Sequence, residues 1–188
     1  QVPVEQALAV CGQIAEALDY AHSKRVVHRD IKPGNIMVAT AADGRIECKV
    51  LDFGLAAEIR SSLSRVSREV GDTSGTRPYM APEQWAGKSQ GPATDQYALA
   101  VLFHELVSGA VPFASAFETN DPMIMGNVVR VEGVSALATL RSSQNRALQR
   151  GLAKAPEERC DSCRSLVGAL SAGAGTGSGG FRRLAGFA

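Results

Sequence analysis

Val4, Leu8, Cys11, Ala15, Leu18 and His22 follow one another at alternating steps of four and three, the spacing that gathers side chains on one face of an α-helix. Residues 3–23 are therefore read as an amphipathic helix, with Pro3 near its start, where a missing N–H costs little. The pattern then shortens. Arg25 to Val27 and Ile36 to Val38 read as brief strands, and Ile46 to Leu51 follows across Asp43-Gly44, a dipeptide suited to the positive φ angles of a tight hairpin turn.

From Leu55 to Ser74 the chain is polar, serine-rich and aperiodic, the character of an exposed and mobile loop. Thr94-Asp95 is then expected to cap a helix over 96–108 that is apolar nearly all round, through Tyr97, Leu99, Val101, Leu102, Phe103, Leu106 and Val107, and that stops at Gly109 with Pro112 beyond. A helix without a polar face belongs inside a domain. Asn120-Asp121-Pro122 starts a short helix, and two more are read over 142–153 and 162–170. Gly, Ala and Ser dominate the tail, interrupted by Phe181-Arg182-Arg183-Leu184, a composition that behaves as flexible linker. The pattern predicts an α+β fold, mainly helical, over 1–171, with a Gly-rich tail over 172–188.

Composition narrows the reading a little. At 188 residues with 45% hydrophobic side chains the chain suits one domain. Its formal net charge of +1 comes from 20 basic and 19 acidic residues, so no overall field favours nucleic acid or an anionic membrane. Cysteines 11, 48, 160 and 163 form no disulfide framework, which points to a reducing, cytoplasmic setting. The longest apolar run, Ala98 to Phe103, is too short to cross a bilayer, and no basic-then-apolar leader opens the chain. Its opening at Gln1, directly in a helical pattern, suggests a piece of a longer polypeptide.

The chemistry is concentrated in His28-Arg29-Asp30-Ile31-Lys32-Pro33-Gly34-Asn35, where a carboxylate, an amine and an amide share one Pro-Gly loop. Asp52-Phe53-Gly54 follows the hairpin, then Gly75-Thr76-Arg77-Pro78-Tyr79-Met80-Ala81-Pro82-Glu83, the capped buried helix and a late arginine, Arg159. In this order and at these distances they resemble the catalytic loop, metal loop and substrate-side segments of the protein-kinase family. Lys32 and Ala81-Pro82-Glu83-Gln84 resemble its bacterial Hanks-type serine/threonine branch.

The resemblance implies a kinase C-terminal lobe whose β-hairpin carries the catalytic and metal-binding loops, and an ATP-dependent transfer of the γ-phosphate to protein serine or threonine. It assigns Asp30 as the base, Lys32 to the transferring phosphate, Asn35 and Asp52 to Mg2+, and Met37 to the underside of the adenine of ATP. Thr76 is implied to contact Asp30 and Lys32 and to help select the acceptor. Arg29 is implied to receive a phosphate carried by Thr73, Ser74 or Ser67. His28, Phe53, Gly54 and Asp95 take structural parts, and Glu83 pairs with Arg159. The implied partners are protein substrates, an N-terminal lobe and a second kinase copy. That lobe's glycine-rich loop and strand lysine have no counterpart in context: Lys24 and Lys154 lie at helix ends without a Val-Ala-Ile strand before them. Uncovered, the lobe surface would expose apolar residues and favour association. The alternative from another class is a non-catalytic module that docks peptides or another kinase.

Several features read as structural. His22 and His104 sit on packing helices without convergent partners. Cys160 and Cys163 have zinc-like spacing but no second pair beside them. Gly175-Thr176-Gly177-Ser178-Gly179-Gly180 matches a nucleotide-loop pattern without the strand it needs. Ala100 and Cys160 stand where the family commonly has glycine and proline, and both read as packing changes.

Overall fold

The computed structural model describes residues 1–43, 45–53, 76–119 and 121–172. Helix α1, Val4–Ser23, starts one residue later than its pattern, because Pro3 is extended and precedes it. Its buried face is Ala7, Cys11, Ile14, Ala15 and Leu18, while Val4 and Leu8 are half-buried at its edge.

Arg25 to Val27 is not a strand. Lys24 and Arg25 form a turn with Arg25 at φ 62°, and the Val26 N–H returns to the Ala21 carbonyl at 3.0 Å. The helix end uses the backbone donor that a strand would have offered to a ladder.

Strands β1, Ile36–Thr40, and β2, Ile46–Val50, pair antiparallel from Ile36 opposite Val50 to Thr40 opposite Ile46. Their connection is longer than the two-residue turn read from Asp43-Gly44. The Ala41 N–H donates to the Arg45 carbonyl at 2.8 Å, and the Asp43 carboxylate accepts from the Arg45 N–H at 3.1 Å; Gly44 lies outside the described residues. On β2, Cys48 and Val50 pack against the core and Ile46 is half-buried. Gln13 of α1 fastens that strand with its amide, donating to the Ile46 carbonyl at 2.8 Å and accepting from the Cys48 N–H at 2.9 Å.

The helical body continues with α2, Pro82–Trp85; α3, Pro92–Ser108; α4, Ala114–Glu118; α5, Pro122–Val131; α6, Ser142–Gly151; and α7, Cys163–Ser171. Tyr97 to Phe103 of α3 are all buried, as its lack of a polar face requires. The helix packs against α1, α6 and α7. It begins at Pro92 rather than at Gln96, so Thr94 and Asp95 lie inside its first turns and serve other segments instead of capping it. Gly109 ends it at φ 80°, a left-handed conformation that glycine adopts without a Cβ penalty. Asp121 caps α5 by accepting from the Met123 N–H at 2.8 Å. The short α4, absent from the hydrophobic pattern, follows Phe113 at φ 60°.

Ala100 has a packing explanation. A Cβ built on Gly151 would stand 3.0 Å from the Ala100 methyl and 2.8 Å from Leu166 Cδ1. The methyl that α3 gained is matched by one that α6 lacks. Among the described residues no helix is long and apolar enough to cross a membrane.

One buried ion pair joins the two ends of this body. Arg159, 2% exposed, gives both terminal nitrogens to Glu83, 4% exposed, at 2.8 Å each. The remaining donors go to the Ala93 carbonyl at 2.8 Å, the Ala153 carbonyl at 2.9 Å and the Lys154 carbonyl at 3.3 Å, and Thr94 donates to Glu83 Oε1 at 2.9 Å. Burial alone would raise the Glu83 pKa, but the hydrogen bonds and charge of Arg159 outweigh it and hold the carboxyl below its usual range.

Arg159→Ala leaves a buried carboxylate without its partner, a change that costs about 3 to 5 kcal/mol. Chemical denaturation should register this loss, and an unchanged melting temperature would contradict it. Acid probes the same bridge. The folded pKa of Glu83 lies below its ordinary value of 4.5, so the bridge contributes fully above that pH and is lost as the pH falls through the folded value. The acid limb of the stability curve should be shallower in Glu83→Gln than in the wild type.

Candidate active site

A buried carboxylate shapes the loop that begins at His28. Asp95 of α3 accepts the His28 N–H on Oδ2 at 2.8 Å and the Arg29 N–H on Oδ1 at 2.7 Å. With both donors satisfied, Arg29 is held at φ 68°, a left-handed conformation uncommon for a residue with a side chain. His22 of α1 completes the cluster, its Nε2 2.7 Å from Asp95 Oδ2 and its Nδ1 3.9 Å from Asp19. His22 therefore does have convergent partners, contrary to the sequence reading. They were hidden because Asp95 is distant in sequence and only α3 packing on α1 brings it near.

His28 then sets the next two segments. Its Nδ1 accepts the Asp30 N–H at 3.3 Å and its Nε2 donates to the Leu51 carbonyl at 2.7 Å, and its ring meets that of Phe53 at 67° with a centroid distance of 4.9 Å. The Leu51 N–H reaches the Asn35 carbonyl at 2.8 Å. The catalytic-type loop and the end of the hairpin are thus joined on either side of Asp52, which is exposed and also left-handed at φ 59°.

Pro33–Asn35 makes a single 3-10 turn that returns Asn35 to Asp30. The Asn35 amide donates to the Asp30 carbonyl at 2.7 Å and to Asp30 Oδ2 at 3.1 Å. Lys32 Nζ stands 3.1 Å from Asp30 Oδ2 and donates to Thr76 Oγ1 at 2.6 Å. Thr76 consequently reaches Asp30 by way of Lys32. The other oxygen, Asp30 Oδ1, is buried without a hydrogen-bond partner among the described residues, as is Arg29 Nε. A carboxylate with one oxygen held and the other free is chemically suited to accept a proton.

Gln84 contributes a contact that sequence reading did not single out. Its Oε1 accepts the Ala81 N–H at 2.9 Å while its Nε2 donates to the Arg29 carbonyl at 3.0 Å. The segment before α2 is thereby tied to the catalytic-type loop. A glutamine after Ala81-Pro82-Glu83 carries no local pattern that would announce this. Tyr79 donates its hydroxyl to Glu105 of α3; burial, then this hydrogen bond and the neighbouring charge, push the phenol upward.

The residues present fit a magnesium-nucleotide. With both N–H groups of Asn35 directed to Asp30, its Oδ1 is left as an acceptor, and Asp52 adds an exposed carboxylate. These are hard oxygen donors of the kind Mg2+ takes. Met37 lies exposed on β1 opposite Lys49. Gly54, Ser67, Thr73 and Ser74 lie outside the described residues.

Cys163, rather than Cys160, joins a cluster with potential metal ligands. Its thiol, Asp19 and His22 have ligand atoms within 4.8 Å of one another. Those atoms already have work. Asp19 accepts the N–H groups of Cys163 at 2.9 Å and Arg164 at 3.1 Å, and also Arg164 Nε at 3.1 Å, so its carboxylate holds the start of α7. Burial foremost pushes the Cys163 thiol upward, away from the thiolate that a metal requires.

A loop holding Asp30, Lys32 and Asn35, a hairpin ending at Asp52, and a Glu-Arg bridge beneath them form a kinase-like C-terminal lobe. Residues 1–168 match the protein kinase domain, and the chain belongs to that family. It is 32% identical over 169 residues to serine/threonine-protein kinase Pkn1 of Myxococcus xanthus, covering 87% of this chain and 23% of that protein. Over 171 residues it is 30% identical to PknF of Mycobacterium tuberculosis, covering 90% of this chain and 35% of that one. The solved kinase domain of M. tuberculosis PknI is 31% identical and superposes with a TM-score of 0.65, over 92% of this chain and 57% of that chain. These relatives support the bacterial Hanks-type branch. The chain spans little more than half of the solved domain and about a third or less of these curated relatives.

Asp95→Ala would orphan two backbone donors at once. An unsatisfied buried donor costs about 1 to 3 kcal/mol, so chemical denaturation should show a loss of at least 2 kcal/mol. Asp52→Ala removes an exposed carboxylate and should stay within about 0.5 kcal/mol of wild type. Equal effects of the two would contradict the anchoring assigned to Asp95.

Proposed function

We propose that this chain is the catalytic-lobe portion of an ATP-dependent serine/threonine protein kinase. The observation that carries the reading is the joined cluster of Asp30, Lys32 and Asn35, in which one buried oxygen of Asp30 has no hydrogen-bond partner among the described residues. Asp30 orients the acceptor hydroxyl and takes its proton on that oxygen. Lys32 keeps a positive charge between Asp30 and Thr76, where the transferring phosphate gathers negative charge. Asn35 and Asp52 would hold Mg2+ through oxygen, and a magnesium-nucleotide bound there would supply the phosphoryl group and neutralise its charge. Thr76, set by Lys32, borders the acceptor and favours serine or threonine.

Arg29 fits a regulatory part. Its buried Nε, unpartnered among the described residues, is suited to a phosphate on Thr73, Ser74 or Ser67. Exposed Met37, Val38 and Phe53 are surfaces for the nucleotide and for an N-terminal lobe, with Met37 beneath the adenine. In this reading residues 1–171 form the lobe and 172–188 a linker, the protein works in the cytoplasm on protein substrates, and a second kinase copy is a natural partner. Phosphate transfer needs the N-terminal lobe as well, since its glycine-rich loop and strand lysine supply the other half of the nucleotide cleft.

The test is transfer of phosphate from ATP and Mg2+ to a generic basic protein. It compares this chain, an upstream-extended form, and the extended form with Asp30→Asn. Transfer by the extended wild type, lowered on the order of 10² to 10⁴-fold by Asp30→Asn, is the expected result for loss of a general base. Folded protein without transfer in any form would favour the non-catalytic docking module.

A further inference from the structure

The peptide unit that joins Arg29 to Asp30 is held from both sides. Its N–H donates to His28 Nδ1 at 3.3 Å, and its carbonyl accepts from Gln84 Nε2 at 3.0 Å. His28 belongs to the loop itself, whereas Gln84 comes from α2. The Arg29 backbone is left-handed at φ 68°, a conformation that a residue with a side chain keeps only where its surroundings hold it. Asp95 fixes the N–H of Arg29 at 2.7 Å. Gln84 fixes its carbonyl, on the side that leads to Asp30.

The two ends of the Gln84 amide serve different segments. Its Oε1 accepts the Ala81 N–H at 2.9 Å, and its Nε2 donates to the Arg29 carbonyl and, at 3.4 Å, to Gln90 Oε1. The backbone decides which way round the amide lies, because Ala81 presents a donor to it and Arg29 an acceptor. A second link between the same two segments runs from Lys32 Nζ to Thr76 Oγ1 at 2.6 Å. The stretch from Thr76 to Ala81, with its 3-10 turn at Arg77–Tyr79, is thus fastened to the loop at each end. Arg29, Asp30, Thr76, Tyr79 and Gln84 line one hollow where the two segments meet.

The two links differ in permanence. In the transfer proposed above the Lys32 ammonium also answers to the phosphate, so its hold on Thr76 is shared. Gln84 is neutral and spends its amide on protein groups alone. We propose that Gln84 is a positioning residue for phosphate transfer, an inference that rests on the kinase reading of the Asp30 cluster. Its amide keeps the Arg29–Asp30 peptide, and with it the Asp30 carboxylate, aligned with the Thr76 segment while Lys32 engages the phosphate. Without the amide that peptide is free to turn, and a displacement of about 1 Å at reacting groups costs on the order of 10²-fold in rate.

The experiment measures transfer from ATP and Mg2+ to a generic basic protein by the upstream-extended form, as wild type, Gln84→Met and Gln84→Glu, each with Asp30 intact and with Asp30→Asn. Methionine matches the length of glutamine and makes neither hydrogen bond. Glutamate keeps the acceptor for Ala81 and loses the donor to Arg29, so it isolates the link to the loop if the methionine variant does not fold. Both variants should lower kcat by about tenfold or more per folded enzyme, with KM for ATP within about twofold of wild type. The further loss on Asp30→Asn should be smaller by about tenfold in either Gln84 variant than in the wild type, since a misaligned carboxylate has less to lose. A role in stability alone would reduce the folded fraction and leave the Asp30→Asn factor as it is in the wild type. Wild-type kcat in both Gln84 variants, or an undiminished Asp30→Asn factor, would overturn the proposal while the kinase reading stands. Absence of transfer by the folded, extended wild type would overturn that reading and this inference with it.

Discussion

The Asp95 carboxylate is the constraint from which the site is built. It is fully buried in α3, and three donors from two other segments meet on it. A carboxylate out of water is costly unless its lone pairs are used, so the favourable arrangement brings the His28 and Arg29 backbone N–H groups to it. That fixes the loop entrance, including the left-handed Arg29. Once Arg29 is fixed, its carbonyl faces Gln84, and the segment before α2 is held against the same loop. His28 carries the order onward to Leu51, next to Asp52. The geometry around Asp30 is therefore inherited from a residue with no chemical part in the proposed transfer.

This division explains where polar groups are satisfied and where they are not. Beneath the site, Glu83 and Arg159 use nearly all their hydrogen-bonding capacity on each other and on nearby backbone. At the site, Asp30 Oδ1 and Arg29 Nε are buried and, among the described residues, unpartnered, and Asp52 is exposed. Buried orphans are uncommon in a stable fold and tend to mark positions kept for another ligand.

Much of this fold could be read from local pattern. The four-three repeat of α1, the unbroken apolar stretch of α3 and the Asp121 cap of α5 are each written within a few residues of one another. The loop from His28 to Asn35 and its order before Asp52, Glu83 and Arg159 were legible because the family spaces these residues closely. What escaped depends on residues far apart. Val26 and Val27 look like a strand until the Val26 N–H is seen to belong to the end of α1. Thr94 and Asp95 look like a cap until Glu83 and the His28 loop claim their side chains. No periodicity in α1 tells that His22 will meet a carboxylate from α3.

The same reasoning applies to the side-chain amides, which composition treats as surface residues. Gln96 is buried in α3, yet it accepts the Cys160 N–H and donates to the Cys160 and Ser162 carbonyls. Gln144 of α6 accepts the Arg141 N–H and donates to the Leu170 carbonyl. Asn145 joins Leu137 and Leu140 in the same way, and Gln13 holds the edge of β2. Each amide offers one acceptor and two donors, so it can serve the N–H and C=O of a segment that has no helix or sheet of its own. A carboxylate or ammonium could satisfy only one half and would add the cost of burying a charge. With two short strands among the described residues, there is little sheet through which irregular segments could pair. Neutral amides take that role, which leaves the buried charges concentrated at the Asp95 cluster and the Glu83-Arg159 bridge, where the catalytic-type loop and the helical body are held together.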